Sequence, residues 1–189
     1  MGRKDLKMKI NKNLPNQLTT VRMLLVPVYA VLYLTGHIYI AGAVFVIASV
    51  TDYFDGMLAR KYDLVSDYGK FADPVADKIL VLTAVILMCE AGRVPGWTAV
   101  IMVAREIMVM ALRNMAVLKN RVLAADIFGK IKTFLQMCAL VLMHYDTLAA
   151  FLPLVADILY YASVFFTVLS GANYLIKNRD VIGYGQSDK

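Results

Sequence analysis

The feature that most constrains this chain is its series of long apolar runs. Six can be placed, at about 15–35, 38–59, 69–90, 96–118, 127–145 and 148–176. Each is near or above the roughly 20 residues that a helix needs to cross a bilayer. Inside lipid every backbone polar group needs an internal partner, and a helix supplies those partners within the segment itself. Composition points the same way: 60% of the 189 residues are hydrophobic and only 18% are charged, with a mean hydropathy of +0.62. An ordinary soluble domain is less apolar and more charged. The expected fold is all-α, a polytopic membrane protein of six transmembrane helices. A soluble helical bundle is the alternative, and so many long runs argue against it.

The breaks between runs carry turn chemistry. Pro15 suits a first helical turn, where its missing N–H costs nothing. Gly36 separates the first two runs, and Gly92 with Pro95 marks the turn after the third. Polar stretches at 60–68 and 119–126 follow the second and fourth runs. The sixth run is long enough to tilt or to include an interfacial turn. The domain reading is a basic segment at 1–14, one membrane domain at 15–176 and a polar tail at 177–189. The start is basic and precedes an apolar run, but Asn16, Thr19 and Arg22 interrupt that run and no small-residue cleavage site follows. It is expected to be retained.

The basic residues set the orientation. With the N-terminus in the cytosol, nearly all of them fall in the inner loops and the helix ends beside them, including Lys4, Lys7, Lys9, Lys12, Arg60, Lys61, Lys70, Lys119, Arg121, Lys177 and Arg179. The outer loops hold only Arg93. That bias puts both termini in the cytosol. The net charge of +6 would suggest nucleic acid in a soluble protein. Here it marks inner loops facing anionic lipid, so membrane lipids and not nucleic acid are the expected macroscopic partner. Trp97 falls where an outer aromatic belt would lie. Cys89 and Cys138 lie in apolar runs and read as free thiols. His37 and His144 fall on the outer side, where interfacial placement is expected, and Asp157 lies in the sixth run with no partner identifiable from sequence.

Between the second and third runs stands a cluster of acids. Asp52 and Asp55 are three apart, Asp73 and Asp77 four apart, so each pair shares one helix face. Carboxylates at the ends of apolar helices are costly unless paired or bound to cations. Four hard oxygen donors with no His or Cys beside them favour Mg²⁺, Mn²⁺ or Ca²⁺ over zinc. Two divalent ions suit four carboxylates and can hold attacking and leaving oxygens at phosphorus. Gly56, Ala59 and Gly69 fit either tight helix packing or close approach of a ligand. Arg60 fits either a phosphate or a topology role.

Among the basic residues, Arg105, Arg113, Lys130 and Lys132 are candidates for holding a phosphate. Arg105 lies deep in the fourth run, where a lone charge is costly. Arg105 and Arg113 are eight apart and share a face. The alternative for Arg105 is an internal ion pair with one of the acids or with Glu106 on a neighbouring helix. For Arg113, Lys130 and Lys132 it is snorkelling to head groups. Asn16, Thr19 and Arg22 are further candidates, with capping and snorkelling as alternatives.

The residues Asp52, Asp55-Gly56, Ala59-Arg60, Gly69, Asp73 and Asp77 match the spacing D-x2-D-G-x2-A-R-x8-G-x3-D-x3-D. By this motif the chain resembles the CDP-alcohol phosphotransferase family, and the six-run layout resembles it too. The stretches LPNQLTTVR (14–22), DPVADK (73–78), AREIMVMALR (104–113) and GKIKTFLQM (129–137) are similar to the bacterial branch whose acceptor is glycerol 3-phosphate. The resemblance implies a phosphatidyltransferase of phospholipid biosynthesis in the bacterial cytoplasmic membrane, with its active site facing the cytosol. CDP-diacylglycerol would bind with its diphosphate on two Mg²⁺ ions, with Mn²⁺ as an alternative. Asp52, Asp55, Asp73 and Asp77 would hold the metals, and Asp77 would also be the catalytic base. Asp52, Asp55, Gly56, Ala59, Arg60 and Gly69 would bind the CDP moiety. The resemblance also implies a homodimer, for which Gly42, Ala43 and Gly171 offer small residues at an interface. Alternatives are the same reaction with serine, inositol phosphate or phosphatidylglycerol, or, from another class, a divalent-cation transporter using the acids as an ion path.

Overall fold

A computed structural model describes residues 14–62, 67–119, 121, 123 and 126–179, with side chains for 19–51, 75, 78–119, 121, 123 and 126–179. Every regular element among them is helical. In order these are α1 (Leu14–Leu34), α2 (Ile38–Tyr62), α3 (Asp67–Glu90), α4 (Gly96–Leu118), α5 (Ile127–His144) and α6 (Leu152–Lys177), with a 3₁₀ turn at Asp146–Leu148. Contacts divide the chain into two compact units, Met1–Leu87 and Met88–Lys189.

In the first unit α1 lies against α2. Ala41, Phe45 and Ala48 recur at four- and three-residue spacing along α2 and are fully buried. Small side chains let two helices approach closely, which is what drives association in lipid. The Tyr29 ring, also fully buried, meets Phe45 at 5.8 Å between centroids. Ser49 and Thr51 carry hydroxyls into this apolar stretch. They donate to the carbonyls of Phe45 (2.7 Å) and Ile47 (2.8 Å) one turn back, so no polar group is left bare.

Two glycines end helices in the same way. Gly36 has φ +82° and Gly92 φ +71°. His37 N–H donates to the Leu32 carbonyl (2.9 Å) and Gly36 N–H to that of Tyr33 (3.1 Å). Arg93 N–H donates to Met88 (2.8 Å) and Gly92 N–H to Cys89 (3.0 Å). Both are Schellman caps, in which a left-handed residue lets the chain satisfy the last carbonyls. A side chain in this conformation costs about 1–2 kcal/mol. Gly92→Val is therefore expected to lower the unfolding temperature in detergent. An unchanged melting curve would contradict this role of the turn.

In the second unit α6 packs most extensively on α5 and next on α4. Its buried stripe is small and polar: Ala156, Tyr160, Ser163, Val164, Thr167, Ser170, Gly171 and Tyr174. Thr98 donates to the Pro95 carbonyl (2.6 Å) and accepts from the Tyr160 hydroxyl (2.8 Å). The opposite faces are apolar and bare. Val100, Phe134, Leu154, Phe165 and Ile176 are each 60% or more exposed. Among the described residues α5 and α6 are long and apolar enough to cross a membrane, and shorter apolar helices lie at Thr19–Leu34 and Ile38–Thr51. Large bare apolar surface of this kind suits lipid as solvent and supports a membrane protein.

Several sequence expectations need adjustment. The polar stretch at 60–68 is helical at both ends: α2 continues to Tyr62 and α3 already begins at Asp67. An acidic residue at a helix start is favoured by the positive end of the helix dipole, which extends α3 beyond its apolar run. The sixth run does not start at 148. A 3₁₀ turn precedes α6, which begins at Leu152 with a proline in its first turn. His144, at the end of α5, is buried by its own chain. Its ring Nδ1 lies 2.7 Å from the Leu140 carbonyl oxygen.

Asp157 has a partner. Arg93, in the turn between α3 and α4, donates to Asp157 (2.6 Å) from Nη1 and to Asp146 (2.9 Å) from Nε. Burial would lower the proton affinity of this guanidinium, but its bonds to Asp157 and Asp146 outweigh that and hold its pKa above the ordinary value. The basic residue assigned to the outer loops thus clamps the turn before α4 to the 3₁₀ turn and to α6.

Candidate active site

The motif lies on two helices of the first unit. Asp52, Asp55, Gly56, Ala59 and Arg60 are on α2; Gly69, Asp73 and Asp77 are on α3. On α2, Asp52, Asp55 and Ala59 stand at i, i+3 and i+7, one face. On α3, Gly69, Asp73 and Asp77 stand at i, i+4 and i+8, again one face. The side chains of all eight, and of Asn16, lie outside the described residues.

The acceptor-side candidates fall into two groups in the second unit. Lys132 on α5 is buried, and its Nζ donates to Glu106 Oε1 on α4 at 2.5 Å. Arg105 Nη1 donates to the same oxygen at 3.0 Å, and Arg105 Nη2 to Ser170 Oγ on α6 at 2.6 Å. Two cations thus share one carboxylate, so the trio sums to a net positive charge. Arg105 Nε is buried and has no hydrogen-bond partner among the described residues. A buried charge is tolerated only when paired and hydrogen-bonded, so this arrangement is either a structural lock or a receptor for an anion.

Glycines make room for Arg105. A Cβ on Gly129 would lie 3.0 Å from Arg105 Nη2 and 3.3 Å from Ser170 Oγ; one on Gly171 would lie 3.4 Å from Arg105 Cγ. Gly171, expected at an interface between copies, is occupied within its own chain.

Arg113 and Lys130 are exposed. Arg113 Nε reaches the Tyr174 hydroxyl at 3.2 Å, and its guanidinium lies 5.9 Å from that ring's centroid. The structure therefore separates the four cations: Arg105 and Lys132 are held together inside, while Arg113 and Lys130 remain at the surface. Snorkelling does not describe Lys132. Nor does it describe Arg22, which is buried on α1 together with Thr19. The Glu106 partner of Arg105 is the next residue of α4, not a residue of a neighbouring helix as expected.

Comparison with known proteins decides the family. The CDP-alcohol phosphatidyltransferase family profile matches residues 12–169. The chain belongs to the CDP-alcohol phosphatidyltransferase family. It is 37% identical over 187 residues to the CDP-diacylglycerol–glycerol-3-phosphate 3-phosphatidyltransferase of Bacillus subtilis, covering 90% of this chain and 97% of the relative. It is 36% identical over 173 residues to the protein of the same name from Rickettsia prowazekii, covering 88% and 96%. It is 38% identical over 182 residues to the probable phosphatidylglycerophosphate synthase of Mycobacterium tuberculosis, covering 93% and 86%.

The phosphatidyltransferase motif thus stands in its own family context. The family is generally dependent on divalent metals. The motif's four carboxylates, carried by two helices with no sulfur or imidazole among them, would suit such ions.

Sequence reasoning underrated three residues of the cationic site: Glu106, Ser170 and Gly129. A signal for Glu106 was present, because an Arg-Glu pair inside an apolar run needs a buried partner. Ser170-Gly171 gave a weaker one, and Gly129 opens a stretch already singled out for its lysines.

Proposed function

We propose that this protein transfers the phosphatidyl group of CDP-diacylglycerol to glycerol 3-phosphate, giving phosphatidylglycerophosphate and CMP. The observation that carries the acceptor is the near-full-length identity to relatives whose names specify glycerol 3-phosphate. The buried Arg105–Glu106–Lys132 trio supports a phosphorylated acceptor, because its net positive charge suits a phosphate.

In this reading Asp52, Asp55, Asp73 and Asp77 would hold two divalent ions, Mg²⁺ or Mn²⁺, which would supply positive charge to offset that of the diphosphate. Gly56, Ala59 and Gly69 let the cytidine and ribose approach backbone, with Arg60 beside them. Arg105 and Lys132 hold the acceptor phosphate inside, and Arg113 and Lys130 attract it from the surface. Asn16, Thr19 and Arg22 on α1 are further candidate binding residues. Asp77 accepts the proton of the acceptor hydroxyl as its oxygen bonds to the phosphorus next to diacylglycerol. The bond from that phosphorus to the CMP oxygen breaks, and CMP leaves. Six membrane-crossing helices, cytosolic termini and a homodimer in the bacterial cytoplasmic membrane complete the proposal.

Purified protein with both substrates and Mg²⁺ is expected to form phosphatidylglycerophosphate, detected by lipid mass spectrometry. EDTA is expected to abolish the product, and added Mg²⁺ or Mn²⁺ to restore it. Product formation undiminished in EDTA would overturn the metal assignment.

A further inference from the structure

We infer that Glu106 is a positioning residue for the acceptor: it does not touch glycerol 3-phosphate but holds Arg105 and Lys132 as a preformed fork for its phosphate. The inference rests on the acceptor reading above and adds to it a residue that carries the wrong charge to bind the substrate itself.

The geometry is specific. One oxygen, Glu106 Oε1, accepts from Lys132 Nζ at 2.5 Å and from Arg105 Nη1 at 3.0 Å. Both cations are within hydrogen-bond reach of a single atom, so without the carboxylate they would repel each other at close range. All three groups are largely withdrawn from solvent, with side-chain exposures of 4% for Lys132, 8% for Glu106 and 12% for Arg105. Screening that relieves surface charges is therefore weak here. Arg105 is fixed at its other end by Ser170 Oγ, and Gly129 and Gly171 leave room only for the guanidinium as it lies. Lys132 is different. Its flexible stem has Glu106 as a fixed point for its ammonium on α4, so the carboxylate sets the distance between the two cations.

This distinguishes Glu106 from the cations it holds. Removing Lys132 or Arg105 takes away one of the two contacts to Glu106 Oε1. Removing the charge of Glu106 takes a contact from both cations at once and leaves their mutual repulsion, so the fork opens before the acceptor arrives. A preformed site spares the acceptor the cost of ordering it, so its loss appears in acceptor affinity and not in the chemical step.

The test uses the full-length protein in lipid nanodiscs and compares Glu106→Gln, Lys132→Met and the double variant, with CMP release as readout. Glu106→Gln keeps the shape and loses the charge. It is expected to raise KM for glycerol 3-phosphate by about tenfold or more, with kcat and KM for CDP-diacylglycerol within about threefold. The inhibition constant of inorganic phosphate against glycerol 3-phosphate should rise in parallel. The double variant is expected to match Lys132→Met alone within about threefold, because the effect of Glu106 passes through the cations. It also keeps the measurement open if the single variant fails to fold, since removing both members of a buried pair is better tolerated than removing one. An unchanged KM in Glu106→Gln beside a raised KM in Lys132→Met would overturn the positioning role alone. So would a double variant whose two losses multiply. An unchanged acceptor KM in Lys132→Met would overturn the acceptor reading itself, and this inference with it.

Discussion

Asp77→Asn lowers the rate of CMP release by about 10²–10⁴-fold, the range a lost general base commands. The substitution is nearly isosteric, so its effect is on charge and proton affinity. Asp77 has two assigned tasks, accepting the hydroxyl proton and holding a divalent ion, and asparagine performs neither as well. Asp73 stands one turn away on α3 and does not replace it, because it is itself assigned to the metals. The protein should remain monodisperse in detergent with helical content unchanged. Turnover at the parental rate would remove Asp77 from the chemistry and leave the motif a metal or packing element only.

Arg105→Gln raises KM for glycerol 3-phosphate by about 10- to 100-fold, as expected for losing one to two charge-assisted hydrogen bonds to phosphate. KM for CDP-diacylglycerol should stay within about twofold. The contact between Lys132 and Glu106 at 2.5 Å does not involve Arg105, so the fold is expected to survive. Steady-state kinetics with each substrate varied in turn separates the two effects. An unchanged acceptor KM would make the Arg105–Glu106 pair a structural lock.

The carboxylate-bearing helices and the cationic cluster differed in how readable they were. The placing of each carboxylate pair on one helix was legible because its spacing is local: residues three and four apart on a helix share a face whatever the rest of the chain does. The helices were legible for a similar reason. Gly36 and Gly92 broke the apolar pattern where left-handed caps in fact close α1 and α3. The start of α3 was not, because Asp67 looks like loop by polarity and its fit to the helix dipole shows only once the helix exists.

The cationic site was half legible. A charge deep in an apolar run flagged Arg105, but which of the four cations are buried depends on how α4, α5 and α6 meet. Lys130 and Lys132 differ by two residues and so point to different sides of α5, one exposed and one buried. Their sequence neighbourhoods are alike, and only helix packing separates them. Arg93, Asp146 and Asp157 make the same point. Their ion pairs join residues 53 and 64 positions apart, beyond any local pattern.

The most direct test of the central claim is CMP release by the purified protein with CDP-diacylglycerol and Mg²⁺, comparing glycerol 3-phosphate, inositol phosphate, serine, phosphatidylglycerol and no acceptor. Release is expected with glycerol 3-phosphate and only background with the others. Release with serine or phosphatidylglycerol in place of glycerol 3-phosphate would contradict the role given to Arg105 and Lys132, and no release with any acceptor would contradict the transferase reading as a whole.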